Sequence, residues 1–261
     1  MGWASEPLVG FDLETTGTDP ATSRIVSAAL VEARAGDPVR TLTWLVDPGV
    51  AIPDEATAVH GITTERARAE GRPAAEAVAE IAAALCRYVT AGVPVVVFNA
   101  PFDLSLLDAE LARHGLPGLR MRLGGRPLAP VLDPLTIDRA VDKYRRGSRT
   151  LQTACAVYGV ELADAHRAGS DALAAVRVAL CLARVHRAAV GEVPAAVLHE
   201  SQVAWYAAWA ADFQGWLRRG RDPEAVIDPC WPLREAALEA ALEAVEAGVA
   251  PAGESVAPTR P

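Results

Sequence analysis

Long apolar runs and paired cysteines are both missing from this chain of 261 residues. It has no stretch of about eighteen or more uncharged apolar residues, and its first ten residues, MGWASEPLVG, lack a basic region followed by a long apolar one. We therefore expect neither a membrane span nor a secretory signal, and we expect the protein in the cytoplasm. The four cysteines are widely spaced without a C-x-x-C pair, which favours reduced packing residues over a zinc site or a disulfide framework.

Positive charge is scarce as well. The formal net charge is −8, and Lys143 is the only lysine beside 24 arginines. A balance of this sign argues against a protein that coats nucleic acid with its whole surface. The arginine excess is more simply explained by a GC-rich coding genome than by phosphate recognition. The densest positive segment, KYRRGSR at 143–149, is a candidate for guiding a nucleic-acid strand.

Strand patterns dominate the first half of the chain. Residues 7–13, 25–33 and 39–46 predict a meander of three strands, with the turn signal AGDP between the second and the third. VPVVVF at 93–98 is a continuous β-branched run, which is typical of a strand covered on both faces. LAPVLDP predicts one further short strand.

Helical patterns follow these strands. Residues 73–90 are rich in alanine, carry apolar residues at helical spacing and begin with a proline, which suits a first helical turn. Further helices are predicted for LSLLDAELARHG, TIDRAVDKY, TLQTACAVYGV and SDALAAVRVALCLARVHRAA, the last with Ser170 as its cap. Residues 116–130, rich in Gly, Pro and Arg, predict a surface loop. A strand meander followed by alternating strands and helices indicates an α/β (α+β) sheet with helices on its faces.

The composition changes after residue 190. Residues 194–220 predict a helix in which Trp205, Trp209 and Trp216 lie near one face, and docking of that face onto the main domain is favoured over a platform for stacked bases. REAALEAALEAVEAG predicts an acidic helix and APAGESVAPTRP a disordered tail. We therefore divide the chain into a main domain (1–190), a Trp-rich helical extension (191–248) and a tail (249–261).

Two carboxylates end the first strand, in PLVGFDLETTG. Strand alternation places Asp12 and Glu14 on the same face, about 6 to 7 Å apart at the backbone. Two such carboxylates at the end of a buried strand repel each other and lose solvation, so an arginine or a divalent cation has to compensate them. Taken alone, an acidic strand end at a solvated turn explains the pattern equally well.

Three more polar residues are candidates for the same site, although each of them has a structural explanation when it is considered alone. Asp103, in NAPFD, either caps its helix or faces Asp12 and Glu14 across the sheet edge; His166 is a loop histidine, and Asp171 lies near a helix N-terminus. Together, four acids at junctions of elements with loops and one histidine are the parts of a two-metal phosphoryl hydrolase. Hard oxygen ligands suit Mg²⁺ or Mn²⁺, and the histidine would take a proton from the attacking water.

Three segments resemble the motifs of one enzyme family. FDLETTGTDP, VFNAPFDLSLLDAEL and AHRAGSDALAA resemble, in this order, the three motifs of the DEDDh 3′-5′ exonucleases, the DnaQ-like group with an RNase H-like fold. VHGIT at 59–63 also resembles this family, and the likeness extends over about residues 7–188. The resemblance implies an RNase H-like mixed sheet of five strands, three antiparallel and then two parallel, flanked by helices.

The resemblance also implies roles for residues. Asp12, Glu14, Asp103 and Asp171 would bind two divalent ions, Mg²⁺ or Mn²⁺, and His166 would be the general base, because the spacing H-x-x-x-x-D marks the histidine subgroup. The residues implied at the terminal nucleotide are Leu13, Thr15, Thr16, Gly17, Asn99, Phe102 and His166. Phe102 is equally well explained as a core residue, and we expect His60 to be structural.

The function implied is metal-dependent release of nucleoside 5′-monophosphates from a free 3′ end, in DNA proofreading or repair. The implied substrate is single-stranded DNA in preference to RNA, and the implied partner is a DNA polymerase or another replication or repair protein. A catalytically silent nucleic-acid-binding or adaptor module on the same fold is an alternative, as is an RNA-trimming exonuclease, since the choice between sugars depends on pocket shape at the 2′ position. A silent module has no chemical need for four carboxylates and a histidine. A third reading, an unrelated metal-binding regulatory domain, leaves the position of His166 unexplained.

Overall fold

A computed structural model describes residues 2–162 and 165–234, together with 239–240 and 242–243. In this part of the chain the strands are β1 (Leu8–Thr15), β2 (Ile25–Arg34), β3 (Asp37–Asp47), β4 (Arg72–Pro73), β5 (Val95–Val96) and β6 (Val131–Leu132). The helices are α1 (Asp54–His60), α2 (Thr64–Glu70), α3 (Ala74–Thr90), α4 (Ala100–Arg113), α5 (Leu119–Arg122), α6 (Pro134–Val141), α7 (Leu151–Tyr158), α8 (Ala168–Val185) and α9 (Ala195–Gly220). The strands form one sheet in the order β4-β3-β2-β1-β5-β6.

The first three strands form the meander that the sequence predicts. β1 pairs antiparallel with β2, and β2 pairs antiparallel with β3. The turn between β2 and β3 has two residues with positive φ, Ala35 at 52° and Gly36 at 88°, which is the conformation that a tight hairpin of this kind needs. β5 and β6 then continue the sheet in parallel beside β1, so the mixed antiparallel and parallel sheet is confirmed.

A sixth strand adds to the five that the resemblance implies. β4 pairs with the end of β3 through only two residues, in parallel. The preceding Gly71 makes this approach possible, because a Cβ there would lie 2.2 Å from the carbonyl oxygen of Ala67 and 2.6 Å from the amide nitrogen of Asp47. Two residues without alternating polarity leave no pattern from which such a strand could be predicted.

Helices cover both faces of the sheet. One buried cluster joins α3 and α4 to the face that carries Val9, Phe11 and Leu13, and a second joins α7 and α8 to the opposite face. Full burial of a side chain such as Phe11 contributes about 1.5 to 3 kcal/mol to the free energy of folding. Since Asp12 and Glu14 alternate with these apolar residues, their side chains point towards α8.

Two local predictions for helices and loops are wrong. α8 begins at Ala168 with Arg167 at the N-cap, so Ser170 lies inside the first turn and is not the cap. Residues 116–130 are not simply a surface loop, because they contain α5 and bury Leu119, Leu123 and Leu128. The carboxylate of Asp108 fixes this segment by accepting a hydrogen bond of 2.7 Å from the amide of Leu119.

The helix α9 docks on the sheet edge formed by β6. Nδ1 of His199 accepts the amide hydrogen of Val131 at 3.1 Å, and the side-chain amide of Gln202 donates to the carbonyl of Val131 at 3.0 Å. Oε1 of Gln202 also accepts from the amide of Asp133 at 2.6 Å. These side chains satisfy the backbone groups of the last strand as another strand would.

The tryptophans of α9 are only partly used for docking. Trp205 and Trp209 are half-buried against the two core clusters, as the docking interpretation predicts, whereas Trp216 is 47% exposed. Most of the predicted acidic helix and the whole predicted tail lie outside the described residues, and the division of the chain at residue 190 stays a prediction. No helix in the described ranges is both long and apolar enough to cross a membrane.

Candidate active site

Three carboxylates from two elements meet at the end of β1. Single oxygen atoms of Asp12, Glu14 and Asp171 lie within 4.8 Å of one another. Asp171 belongs to the first turn of α8, and this helix lies against β1 because Gly10 has no side chain. A Cβ at Gly10 would be 2.3 Å from the carbonyl oxygen of Ala172. The glycine therefore sets the distance between Asp171 and the two acids of the strand.

Asp103 lies beside this group but is not one of the three acids whose oxygens lie within 4.8 Å of one another. It lies in the first turn of α4, is 4% exposed, and accepts a hydrogen bond of 3.0 Å from the amide of Leu13. Its charge is one of the causes that raise the pKa of Asp12. Of the two roles open for Asp103, facing Asp12 and Glu14 is the one that the structure shows.

The start of α4 is held by a buried carboxylate that the sequence did not single out. Asp133 accepts hydrogen bonds from the amides of Asn99 at 2.9 Å and Ala100 at 3.3 Å. Asn99 has a φ of 67°, in the left-handed region, which few residues other than glycine, asparagine and aspartate adopt readily. Asp133 thus fixes the turn that delivers Asp103 to the site.

His166 lies at the rim of the same cleft. It is exposed, has a φ of 65°, and donates its backbone N–H to Oδ2 of Asp171 at 3.1 Å. Positive φ at a residue with a side chain is costly and is often found at functional sites. The backbone of His166 is therefore tied to one of the three clustered acids, and this residue is part of the lining of the cleft.

The residues implied at the terminal nucleotide divide into two groups. Leu13, Asn99, Phe102 and His166 line a cleft of about 460 Å³ together with the acids. The turn residues Thr15, Thr16 and Gly17 are not part of its described lining: the Thr15 hydroxyl donates to the carbonyl of Gly17 at 2.7 Å, and the Thr16 hydroxyl accepts from the amide of Arg24 at 2.9 Å. Their contact with a nucleotide stays a prediction.

His60 makes a contact within the fold, and the expectation that this residue is structural stays a prediction. Its Nδ1 accepts the amide hydrogen of Ile62 at 3.1 Å and so closes the turn after α1. Burial lowers the pKa of this imidazole, and a contact with the backbone of Thr15 partly opposes that effect. This histidine therefore links the turn after α1 to the end of β1.

Two arginines of the cleft were not identified from the sequence as site residues. Arg139 and Arg149 both line it, but Arg139 occurs in a helix without any motif and Arg149 was considered only as part of the basic segment. Arg149 and Arg145 both form ion pairs with the buried carboxylate of Asp138. Arg145 is therefore engaged within the fold, whereas Arg146 is exposed, and guidance of a strand by this segment stays a prediction.

Burial and mutual repulsion raise the pKa values of the clustered acids. The pKa of Asp12 lies well above its ordinary value because of burial first and then the charges of Asp103, Glu14 and Asp171. Burial and the charge of Asp171 raise the pKa of Glu14 to about 7. Burial also raises the pKa of Asp171, and the amide and charge of His166 partly oppose this effect. At neutral pH the protein alone thus compensates these charges poorly.

The donor set fits a divalent cation. Among the described residues, Oε1 of Glu14 and Oδ1 of Asp171 are buried without a hydrogen-bond partner, and the ion pairs of this part of the chain all lie elsewhere. A buried carboxylate oxygen without a partner is unfavourable unless a cation occupies the space in front of it. Clustered hard oxygens are the ligands that Mg²⁺ and Mn²⁺ prefer.

Residues 9–179 match the model of the Exonuclease family RNase_T. The chain belongs to this exonuclease family. The match contains every acid of the cluster and His166, and it confirms the family resemblance found in the three motifs.

Relatives of this exonuclease include large polymerases. It is 28% identical to the DNA polymerase III PolC-type of Lacticaseibacillus paracasei over 169 residues, which are 65% of this chain and 11% of that protein. The corresponding protein of Halalkalibacterium halodurans is 28% identical over 164 residues, 63% of this chain and 10% of that protein. The chain therefore spans about a tenth of the length of these relatives.

Solved structures share the fold of this exonuclease. E. coli exonuclease I in complex with a dA16 oligonucleotide superposes with a TM-score of 0.61 at 19% identity, covering 77% of this chain and 43% of that one. The zinc-bound form of its complex with single-stranded DNA gives 0.60 at 20% identity, covering 70% and 41%. These likenesses confirm the expected α/β fold with its mixed sheet and flanking helices.

Proposed function

We propose that this exonuclease removes nucleotides from the 3′ end of single-stranded DNA in a metal-dependent reaction and releases nucleoside 5′-monophosphates. The observation that carries the proposal is the cluster of Asp12, Glu14 and Asp171, with two buried oxygens that lack any partner within the described protein. A catalytically silent module would have no reason to keep charges that repel one another in this way.

In the proposed mechanism, Asp12, Glu14, Asp103 and Asp171 hold two divalent ions. Bound there, Mg²⁺ or Mn²⁺ supplies positive charge for the attacking and leaving oxygens of a phosphodiester. His166 takes the proton of the attacking water, and the hydrogen bond that its backbone N–H donates to Asp171 holds this residue at the cleft. Leu13 and Phe102 form the apolar wall against which the terminal nucleotide would pack.

The proposed preference for DNA and the proposed role in proofreading or repair are supported by the relatives. The matched PolC-type proteins are named as DNA polymerases, and exonuclease I has been solved with DNA oligonucleotides. A replication or repair protein is accordingly the partner that we propose.

Incubation with a 5′-labelled oligonucleotide tests this function directly. With Mg²⁺ or Mn²⁺ we expect a ladder of products shortened from the 3′ end, and with EDTA we expect none, because the acids alone cannot stabilise the transferred charge. Matched single-stranded DNA and RNA substrates separate the proposed activity from RNA trimming. Cleavage that persists in EDTA would contradict the proposal, and binding without cleavage would favour the silent module.

The metal should also stabilise the protein in a pH-dependent way. Since the pKa of Glu14 is raised from 4.5 to about 7 in the folded state, its contribution to stability is present below pH 4.5 and is lost as pH rises through 7. Above that pH the uncompensated charge of Glu14 costs on the order of 3 kcal/mol, and a bound cation removes this cost. We expect Mg²⁺ to raise the melting temperature by several degrees at about pH 8 and much less at about pH 5. If thermal melts showed the same Mg²⁺-induced shift in melting temperature at both pH values, the proposed metal site would be contradicted.

A further inference from the structure

A second groove adjoins the catalytic cleft. It has a volume of about 740 Å³ and lies between α6 with the segment that follows it on one side and α9 on the other. Arg139 and Arg149 line both this groove and the cleft. The two depressions therefore form a continuous surface, and a chain leaving the cleft at these arginines enters the groove.

One wall of the groove is a column of stacked aromatic rings. Trp209 stacks on Phe213 with ring centres 5.4 Å apart, and Phe213 stacks on Trp216 at 5.8 Å, both with an angle of 13° between the planes. The guanidinium of Arg139 lies 3.9 Å from the centre of the Trp209 ring, and that of Arg221 lies 4.9 Å from the centre of the Trp216 ring. The column thus has a cation at each end.

The inner and outer parts of this column differ in what they contact. Trp209 packs against the core, so its burial is explained by docking of α9. Trp216 is 47% exposed, and docking does not explain why a residue of this size lies in the open groove. The four-residue step from 209 to 213 and the three-residue step from 213 to 216 place the rings along one side of the helix, in a line that leads away from Arg139.

We propose that this groove binds the single strand on the 5′ side of the nucleotide that occupies the catalytic cleft. The inference rests on the proposed exonuclease function, which it extends by a path for the rest of the substrate. From Trp209 to Trp216 the helix rises about 10 Å, which is room for about three nucleotides at 3.4 Å each. Aromatic side chains beside cations are the usual means of binding a single strand without reading its sequence.

Charge favours a polyanion over a protein segment in the groove. Arg139, Lys143 and Arg149 line it, against the single carboxylate of Asp212 among its described lining residues. Arg149 shares the carboxylate of Asp138 with Arg145, so these three groups together keep one positive charge. Asp212 is paired with Lys143 at 3.2 Å, and both side chains are exposed, so the pair is weak and the ammonium can turn to a phosphate. An apolar peptide would cover the guanidinium of Arg139 without offering it a counter-charge.

One wall of the groove, the helix α9, lies outside the part of the chain that defines the family. The family match ends at residue 179, whereas the aromatic column belongs to residues 209–216. The path for the strand is therefore a property that this chain adds to the shared catalytic domain.

Binding of labelled oligonucleotides tests the path, with the full chain in EDTA so that no cleavage occurs. A base can reach the outer face of the Trp216 ring by displacing the exposed guanidinium of Arg221, because the inner face is stacked on Phe213. Trp216→Ala should weaken binding of an oligonucleotide of about twelve nucleotides roughly tenfold, because stacking of one base contributes about 1 to 3 kcal/mol. An oligonucleotide of about three nucleotides ends before Trp216, so its affinity should change less than about twofold. Trp216→Phe keeps an aromatic face and should restore most of the affinity for the long oligonucleotide.

Two substitutions that change the charge of the groove test the same path, and they should change the affinity in opposite directions. Lys143→Gln should weaken binding and reduce the slope of log K against log salt by about one. Asp212→Asn removes the carboxylate and should tighten binding of a polyanion. Arg187→Gln is the matched control, since Arg187 also forms an exposed ion pair, with Glu192, and lies outside the groove.

The outcomes separate the path from the catalytic proposal. If the unchanged protein binds and cleaves DNA but none of these variants alters the affinity for the long oligonucleotide, the path is wrong and the exonuclease proposal stands. If long and short oligonucleotides bind equally, the path is also wrong. If the path variants alter binding but no metal restores cleavage, the path holds and the catalytic proposal fails. Absence of binding to DNA and to RNA would overturn both.

Discussion

Replacing Asp12 with asparagine should lower the rate of nucleotide release at least about a thousandfold and raise the melting temperature of the metal-free protein. The loss of rate is expected because Asp12 is central to the acid cluster, with the charges of Asp103, Glu14 and Asp171 all acting on it. The gain in stability has the same origin, since an amide of the same shape does not repel those three carboxylates. A residue that only supported the fold would show the opposite change in stability.

Two measurements on Asp12→Asn give the test: single-turnover cleavage with saturating metal, and thermal melting in EDTA at about pH 8, where the acids are most fully charged. Asp54→Asn, an exposed acid in the first turn of α1, is the matched control and should change neither quantity by much. Activity close to that of the unchanged protein would eliminate the proposed metal site. A lower melting temperature in EDTA would show that Asp12 is compensated by the protein itself.

Replacing His166 with asparagine should lower kcat by about 10²- to 10⁴-fold and leave the stabilisation by Mg²⁺ intact. Asparagine is chosen because it adopts positive φ more readily than alanine does, and it cannot take up a proton at neutral pH. The variant keeps the backbone N–H that bonds to Asp171, so the acid cluster should be unaffected. The measurement is kcat together with the metal-induced shift in melting temperature.

His186→Asn serves as the control for His166, because His186 follows the other end of α8. In His166→Gly, added imidazole should recover part of the lost rate, since the glycine leaves space and tolerates the backbone conformation. A loss of both kcat and metal stabilisation in His166→Asn would assign the residue to the metal site in place of proton transfer. No loss at all would exclude His166 from catalysis.

The sequence predicted the parts of the site that depend on local patterns. Alternation in the first strand placed Asp12 and Glu14 on one face, and the apolar run that ends at Phe98 placed the start of the next helix at the same sheet edge. The meander was predictable because each of its strands is long and is bounded by turn residues. Asp171 was predicted through its spacing from His166. The start of its helix was predicted wrongly, because α8 begins at Ala168, two residues before the predicted cap Ser170.

Other features depend on single contacts between residues far apart in the chain. Asp133 fixes the turn at Asn99 from 34 positions away, and Gln202 binds the backbone of Asp133 from 69 positions away. A lone aspartate or glutamine has no period from which its partner can be inferred. The same holds for Arg139, whose neighbours in the sequence give no sign that it faces both the cleft and the aromatic column.

The way in which α9 closes the sheet has a consequence for how such chains evolve. Because His199 and Gln202 replace a neighbouring strand for β6, selection at these two positions acts on hydrogen-bonding geometry more than on helix propensity. Substitutions can accumulate more freely at the positions of α9 that contact neither this strand, nor the core clusters, nor the groove. A lineage that lost α9 would have to protect the exposed strand by other means, such as a proline or a charged residue at that edge.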